Sequence, residues 1–235
     1  KVTGRIKYAE DYAREGMVYA RLLTSPLPHA KVVDIDASAA LAMDGVFGIL
    51  TADDVYPDGE DNSPGLKVLT NEPTLVGEPI LALAAVDEKT AETAIALISV
   101  TFERLPFVMD PLDSLAEGGP DGYNGGNTFV FRQGVASEKW SRDEVASFRA
   151  GNEPTAEPQQ SWEYGDLAAA FASSAYVYES GFTTAGYPHQ SMEPRSAFAY
   201  WENGKCYLHG TSQSMTPVAA GMADIVGVPV EDFVF

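Results

Sequence analysis

At 235 residues the chain is long enough for one large or two ordinary domains, each with a real core. Apolar content of 45% and charged content of 21% suit a globular protein, but the formal net charge of −19 argues against nucleic acid and anionic membrane surfaces as partners. One cysteine, Cys206, excludes an intrachain disulfide and any iron–sulfur or zinc site built from cysteines of this sequence. No apolar run reaches the roughly 18 residues of a membrane span, and no charged-then-apolar leader follows Lys1. The expected compartment is cytoplasmic, with export to the periplasm the alternative. The acidic residues are spread along the chain, which reads as a solvated surface facing a basic partner subunit rather than as an acidic tail.

The first half alternates strands and helices. Met17–Leu23 and Lys31–Ile35 are β-type runs. Asp36 offers a carboxylate at the start of an alanine-rich helix, Ala37–Met43, that Gly45 can end. Val46–Leu50 is a third strand. Asp53–Gly65, rich in Asp, Pro and Gly, reads as a loop, and Lys67–Leu69 as a short strand. Ile80–Val86 is a strong apolar strand; Asp87 caps a helix over Glu88–Leu97, with Ala91, Ala94, Ile95 and Ile98 on one face; Ile98–Glu103 returns as a strand. That order suggests a βαβ-type unit whose crossover helix covers a sheet.

Gly118-Gly119-Pro120 and Asn124-Gly125-Gly126 punctuate a loop, and the first domain boundary is placed there. The expected organisation is residues 1–118 as one domain, 119–164 as linker and surface excursion, and 165–235 as the start of a second. Phe129–Phe131 is a brief apolar piece, and the one helical candidate between Val135 and Glu163 is Arg142–Arg149. Asp166 caps a helix over Leu167–Ala172, and Ala175–Phe182 reads as a strand. Ser196–Trp201 pairs with Lys205–Gly210 through the tight turn signalled by Asn203-Gly204. Pro217 fits the first turn of a helix over Val218–Val226, which Gly227 and Pro229 stop.

No GxGxxG, Walker loop, HExxH or GxSxG occurs. His29 lies in a proline-constrained loop and reads as a polar surface residue. His209 reads as facing out of its strand, and none of the three histidines stands at ligand spacing. Cys206 lies in an alternating strand and reads as a small packing residue. Glu193, between Met192 and Pro194, is suited to acid–base work; the plainer reading, an ion pair with Arg195, is preferred. Gln213 sits between a strand and a helix, where its amide either caps the helix or donates to a ligand without burying a charge.

Several stretches occur in a telling order. They are Lys1-Val2-Thr3-Gly4 with Tyr8 and Asp11, Arg21–Pro26 with His29-Ala30, and Val76-Gly77-Glu78-Pro79-Ile80. Val100–Pro106 with Asp110-Pro111, Gly165-Asp166 with Ala169-Ala170-Phe171, His189–Pro194 and Gly210–Ser214 follow. In this order they resemble the large, molybdopterin-binding subunit of the xanthine dehydrogenase/aldehyde oxidase family of molybdenum hydroxylases, across nearly the whole chain except about Val135–Glu163. The resemblance implies an α+β (mixed α/β) fold: an α/β hammerhead domain followed by the beginning of a molybdopterin-binding domain. It makes Gln213 the cofactor-binding residue, an amide that hydrogen-bonds an oxo ligand of molybdenum, with Ser212 and Ser214 beside it. His189, Gln190 and Glu193 take supporting roles.

The family's catalytic glutamate and its glycine-rich loop belong to sequence that follows Phe235, so no catalytic residue and no metal ligand are expected within this segment. A fragment, or one part of a split large subunit, is the corresponding expectation. The implied cofactor is molybdenum-molybdopterin, in its cytosine dinucleotide form if the source is bacterial. Iron–sulfur clusters of the 2Fe–2S type and FAD are expected on other chains or segments. The implied partners are iron–sulfur and flavin subunits, the remainder of the molybdopterin-binding subunit and a small-molecule substrate. The implied activity is hydroxylation of an aldehyde, an N-heterocycle or an aromatic compound with oxygen from water. The alternatives are a non-catalytic scaffold chain of such a complex, or reduction of aromatic acyl-thioesters with the same cofactor.

Overall fold

The computed structural model describes residues 2–57, 68–123, 125–130, 134–155, 161–180, 182, 184, 190–193 and 195–235. Strands β1 (Tyr19–Thr24), β2 (Ala30–Asp36) and β3 (Val46–Thr51) come first, with helix α1 (Ser38–Leu41) between β2 and β3. Helix α2 (Ala52–Val55), strand β4 (Pro79–Ala85), helix α3 (Glu88–Ile95), strand β5 (Ser99–Arg104) and helix α4 (Pro111–Leu115) follow. β4 is the centre of an antiparallel sheet of order β1-β4-β3, in which Leu83 faces Arg21 on one side and Ile49 on the other. Period-2 alternation sends Leu81, Leu83 and Ala85 to one face, against Ala91 and Ala94 of α3 and Ala40 of α1, all fully buried. Each buried leucine contributes about 1.5–3 kcal/mol over leaving it in water. Asp87 starts α3 by accepting from the Thr90 N–H at 2.7 Å.

The expected βαβ unit is corrected here. β5 does not return to the sheet of β4 but pairs antiparallel with β2, as in Val32 opposite Phe102. Both edges of β4 are already taken, by β1 and β3, so the strand after α3 finds its partner elsewhere. α3 nevertheless covers the β1-β4-β3 sheet, as its alanine face requires. The expected loop from Asp53 also begins with a helical turn, α2. The Thr51 N–H donates to Asp54 Oδ2 at 2.7 Å and its hydroxyl at 2.8 Å, closing a capping box inside an otherwise loop-like composition. Val68 and Leu69 form no strand; Leu69 is buried, and Lys67 lies outside the described residues, as does most of the loop before it. Glu78 is buried because its carboxylate accepts from the Thr74 N–H at 2.7 Å, which closes the turn ahead of Pro79.

Strands β6 (Thr128–Val130) and β7 (Gly134–Ala136) make a small antiparallel pair; Phe131 of the expected apolar piece lies outside the described residues. Helix α5 (Arg142–Arg149) packs back on α4. Its Arg149 reaches Asp110 at 2.7 Å and Asp113 at 2.6 Å, and Trp140 meets Phe148 edge to face at 6.0 Å. At the start of α5, Glu144 accepts from the Thr155 hydroxyl at 2.6 Å and from the Ser141 hydroxyl and N–H at 2.7 and 2.9 Å. These donors, Thr155 first, lower its pKa from the usual 4.5 to about 2. A carboxylate depressed on folding stabilises the fold above its unfolded pKa and loses that contribution as the pH falls through its folded one. Thermal melts are therefore expected to show stability falling between about pH 4.5 and pH 2, with Glu144→Gln lacking its share of that fall. Asp36, Asp54 and Asp87, lowered by their own cap hydrogen bonds, act in the same direction.

Helix α6 (Leu167–Ser173) is capped by Asp166, as expected, with the Ala169 N–H donating at 2.9 Å. The expected strand Ala175–Phe182 is corrected: residues 175–180 form no strand, and Tyr176 and Tyr178 stand 94% and 87% exposed. A β-type run becomes a strand only against a neighbour, and among the described residues nothing pairs with it. Strands β8 (Phe198–Glu202) and β9 (Lys205–His209) form the expected hairpin. Asn203 at φ 53° and Gly204 at φ 79° both adopt the left-handed conformation that a two-residue turn of matching twist needs. Helix α7 (Met215–Ile225) begins ahead of Pro217, which still lies in the first turn, where its missing N–H costs nothing. Strand β10 (Phe233–Val234) then joins β9 in parallel. No helix among the described residues is long and apolar enough to cross a membrane.

Candidate functional site

The β8–β9 hairpin has two distinct faces, set by alternation along each strand. Cys206 and Leu208 turn to α7, where Ala219, Met222 and Ala223 pack with Phe233 and Phe235. Cys206 is 6% exposed and its thiol is pushed up by burial, so it packs as expected. It should stay unmodified by a thiol-alkylating reagent until the chain unfolds, as followed by intact mass.

The other face carries Phe198 opposite His209 and Tyr200 opposite Tyr207. Tyr200 and Tyr207 stack with centroids 5.0 Å apart. The N-terminal segment lies over this face. Tyr12 stacks on His209 at 4.3 Å, the Arg14 guanidinium sits 3.7 Å above the Tyr200 ring, and Arg14 pairs with Glu202 at 3.0 Å. His209 is thus not free at the strand's outer side but sandwiched among rings. His29 is also held, its Nδ1 2.6 Å from the Pro106 carbonyl and its Nε2 3.3 Å from Glu72.

β9 ends at His209 and the chain runs out through Gly210–Ser214 into α7. This segment holds the candidate residues. Gln213 is exposed and precedes Ser214, the N-cap of α7, so it does not cap the helix itself. Ser212 Oγ accepts from the Ser214 N–H at 3.0 Å, which fixes the turn around Gln213. Glu193 is corrected: its partner is Thr211, whose hydroxyl donates to Oε1 at 2.5 Å, and no ion pair joins it to Arg195 among the described residues. The turn at the exit of β9 brings the Thr211 hydroxyl to Glu193, 18 residues away in sequence. Gln190 is exposed with a left-handed φ of 51°, an uncommon conformation for a residue other than glycine. His189 lies outside the described residues.

A cavity of about 270 Å³ lies where Lys7, Tyr12, Glu193, His209, Thr211 and Ser212 meet. It gathers Glu193 and Ser212 from the expected site; Gln213 and Ser214 are outside its lining. A second cavity, of about 280 Å³, is lined by Pro28, His29, Leu75, Val76 and Phe107 in the first half of the chain, and holds none of the expected site residues. The residues that sequence reasoning missed are Tyr12 and Arg14. The signal available was the alternating Phe198, Tyr200, Tyr207 and His209, an aromatic face that required a cover.

Two family models match the chain. Residues 3–106 match the "Aldehyde oxidase and xanthine dehydrogenase, a/b hammerhead domain", and residues 150–235 match the "Molybdopterin cofactor-binding domain". Together they leave only 1–2 and 107–149 outside. The chain belongs to the xanthine dehydrogenase/aldehyde oxidase family. Among its relatives, the xanthine dehydrogenase molybdenum-binding subunit of Escherichia coli O157:H7 is 35% identical over 140 residues, covering 54% of this chain and 19% of that one. The aldehyde oxidoreductase of Megalodesulfovibrio gigas is 26% identical over 228 residues, covering 90% and 22%. The solved structure of quinoline 2-oxidoreductase from Pseudomonas putida 86 matches with a TM-score of 0.70 at 25% identity, over 99% of this chain and 28% of that one. The chain thus spans about a fifth of the length of these two curated relatives. Residues 3–106, which hold β1 to β5, are the hammerhead, and 150–235 are part of the molybdopterin-binding domain.

The residues present fit such a cofactor by their chemistry. No charged residue occurs from Gly210 to Ala223, although the chain as a whole carries a net charge of −19. The donors there are the Gln213 amide, hydroxyls, and first-turn N–H groups of α7 that no side chain caps. Neutral donors of this kind suit oxo and phosphate oxygens. Glu193, outside this stretch, accepts from the Thr211 hydroxyl.

Proposed function

We propose that this chain forms part of a molybdenum-dependent hydroxylase that oxidises an aldehyde or an N-heterocycle, and that Gln213 is its residue nearest the metal. The observation that carries the reading is the exposed Gln213 amide on a charge-free segment between β9 and α7, within residues matched to the cofactor-binding domain. Relatives named for N-heterocycles support the substrate class: the nicotinate dehydrogenase large molybdopterin subunit of Eubacterium barkeri is 27% identical over 86% of this chain. In this reading residues 1–118, 119–164 and 165–235 act as hammerhead, connecting excursion and cofactor-domain start.

When bound, the molybdenum cofactor supplies the redox chemistry, with oxygen drawn from water and electrons passed to iron–sulfur and flavin centres on other chains or segments. This chain's own residues orient. Gln213 would donate an amide N–H to an oxo ligand of the bound group, adding no charge. Ser212 fixes the turn through the Ser214 N–H. Thr211 and Glu193 tie that turn to the segment before β8. The holoenzyme that contains this chain, given an aldehyde and N-heterocycle panel in isotopically labelled water, is expected to place the label in the product. Unlabelled product, or no turnover of either class, would refute the reading.

A further inference from the structure

We propose that the N-terminal segment Lys7–Arg14 is a positioning strap that sets the course of Gly210–Ser214 through the Tyr12–His209 stack. The inference rests on the proposed role of Gln213 and extends it to residues at the opposite end of the chain. Tyr12 has extended backbone at φ −92° and ψ 139°. In an extended segment, residues two apart point the same way, so Tyr12 and Arg14 address one face of the hairpin together. Arg14 holds the end near the turn, over Tyr200 at 3.7 Å and paired with Glu202 at 3.0 Å. Tyr12 holds the other end, on His209 at 4.3 Å, with Phe198 parallel at 6.0 Å. The Lys7 ammonium, 5.7 Å from the Tyr12 ring, backs the clamp, and Ala9 is buried beneath it.

His209 is the last residue of β9, so a stack that holds its ring also holds the residue from which the chain leaves the sheet. Gln213 lies on the segment that follows. The cavity of about 270 Å³ has Lys7, Tyr8, Ala9 and Tyr12 as one wall and His209 to Ser212 as the other, so the strap and the segment face each other directly. Opposite the strap, α7 closes the second face of the hairpin, which leaves the strap as the element able to shift His209 without unpacking the core.

The test uses the holoenzyme containing this chain. Tyr12→Ala removes the stack, and Tyr12→Phe keeps the ring. Tyr12→Ala is expected to retain molybdenum and pterin, to shift the paramagnetic resonance spectrum of reduced molybdenum, and to lower kcat about 10-fold with KM little changed. Amides of 208–214 are expected to exchange hydrogen faster, and Tyr12→Phe to restore all three readouts. An unchanged spectrum and unchanged kcat in Tyr12→Ala would overturn the strap. If that variant fails to accumulate, Arg14→Gln gives the same reading, with a smaller shift expected and no shift overturning it. A wild-type enzyme without molybdenum would instead overturn the proposed function. The strap's role toward the metal would fall with it, and the exchange rates would then report a structural tie alone.

Discussion

Gln213→Ala in the holoenzyme is expected to lower turnover about 10- to 100-fold while molybdenum and pterin content stay at the wild-type level. Gln213 adds no charge, packs no core and caps no helix; it is exposed just ahead of Ser214, the N-cap of α7. Its removal therefore leaves the fold's own interactions intact. In the proposed reading, what it takes away is one neutral donor for an oxo ligand, a bond of the kind that would orient and tune a metal rather than hold it. Gln213→Glu is expected to do worse than alanine, because it places a negative charge against electron-rich oxygens in a stretch that otherwise has none. Kinetics at saturating substrate, with metal analysis on the same samples, separates the outcomes. Wild-type turnover in both variants would remove Gln213 from the site.

Leu83→Ala is expected to cost about 2–5 kcal/mol of stability, by lost burial and by the cavity left behind. Leu83 is fully buried at the centre of β4, between β1 and β3 and under α3, where no neighbour can collapse without breaking a sheet edge. Against a usual domain stability of about 5–15 kcal/mol this is a large share. Val33→Ala is the control, at an exposed position on β2, and is expected to change stability by less than about 0.5 kcal/mol. Denaturant titration reads both as shifts of midpoint at constant slope. A Leu83→Ala midpoint no lower than that of Val33→Ala would place the core elsewhere.

Local signals are legible in the sequence. Asp87 and Asp166 each announce a helix start, and Asn203-Gly204 announces the hairpin. These features depend on residues within a few positions of each other. The failures concern partners that lie far along the chain. Adjacency in sequence suggests the sheet of β4 for β5, whereas its partner is β2. Ala175–Phe182 has strand composition but no strand beside it among the described residues. The Thr51 and Asp54 capping box is a local signal, but the Asp, Pro and Gly after it make the segment read as a loop.

The candidate site divides the same way. Gly210–Ser214 stood out from its position between a strand and a helix, and the structure puts it at the exit of β9. The partners of that exit were not legible. Glu193 was matched to its sequence neighbour Arg195, yet it bonds Thr211 across the hairpin's mouth. Arg14 and Glu202, 188 residues apart, meet only because the N-terminal segment crosses the aromatic face. No periodicity within either segment encodes that meeting.

In the proposed reading this chain supplies donors to a molybdenum-pterin group. The most direct measurement is molybdenum and pterin analysis of the complex purified from its native source, with intact mass to establish that this chain is in it. Molybdenum in stoichiometric amount with the chain, together with pterin, is the predicted result. An intact, active complex containing this chain but neither molybdenum nor pterin would refute that role.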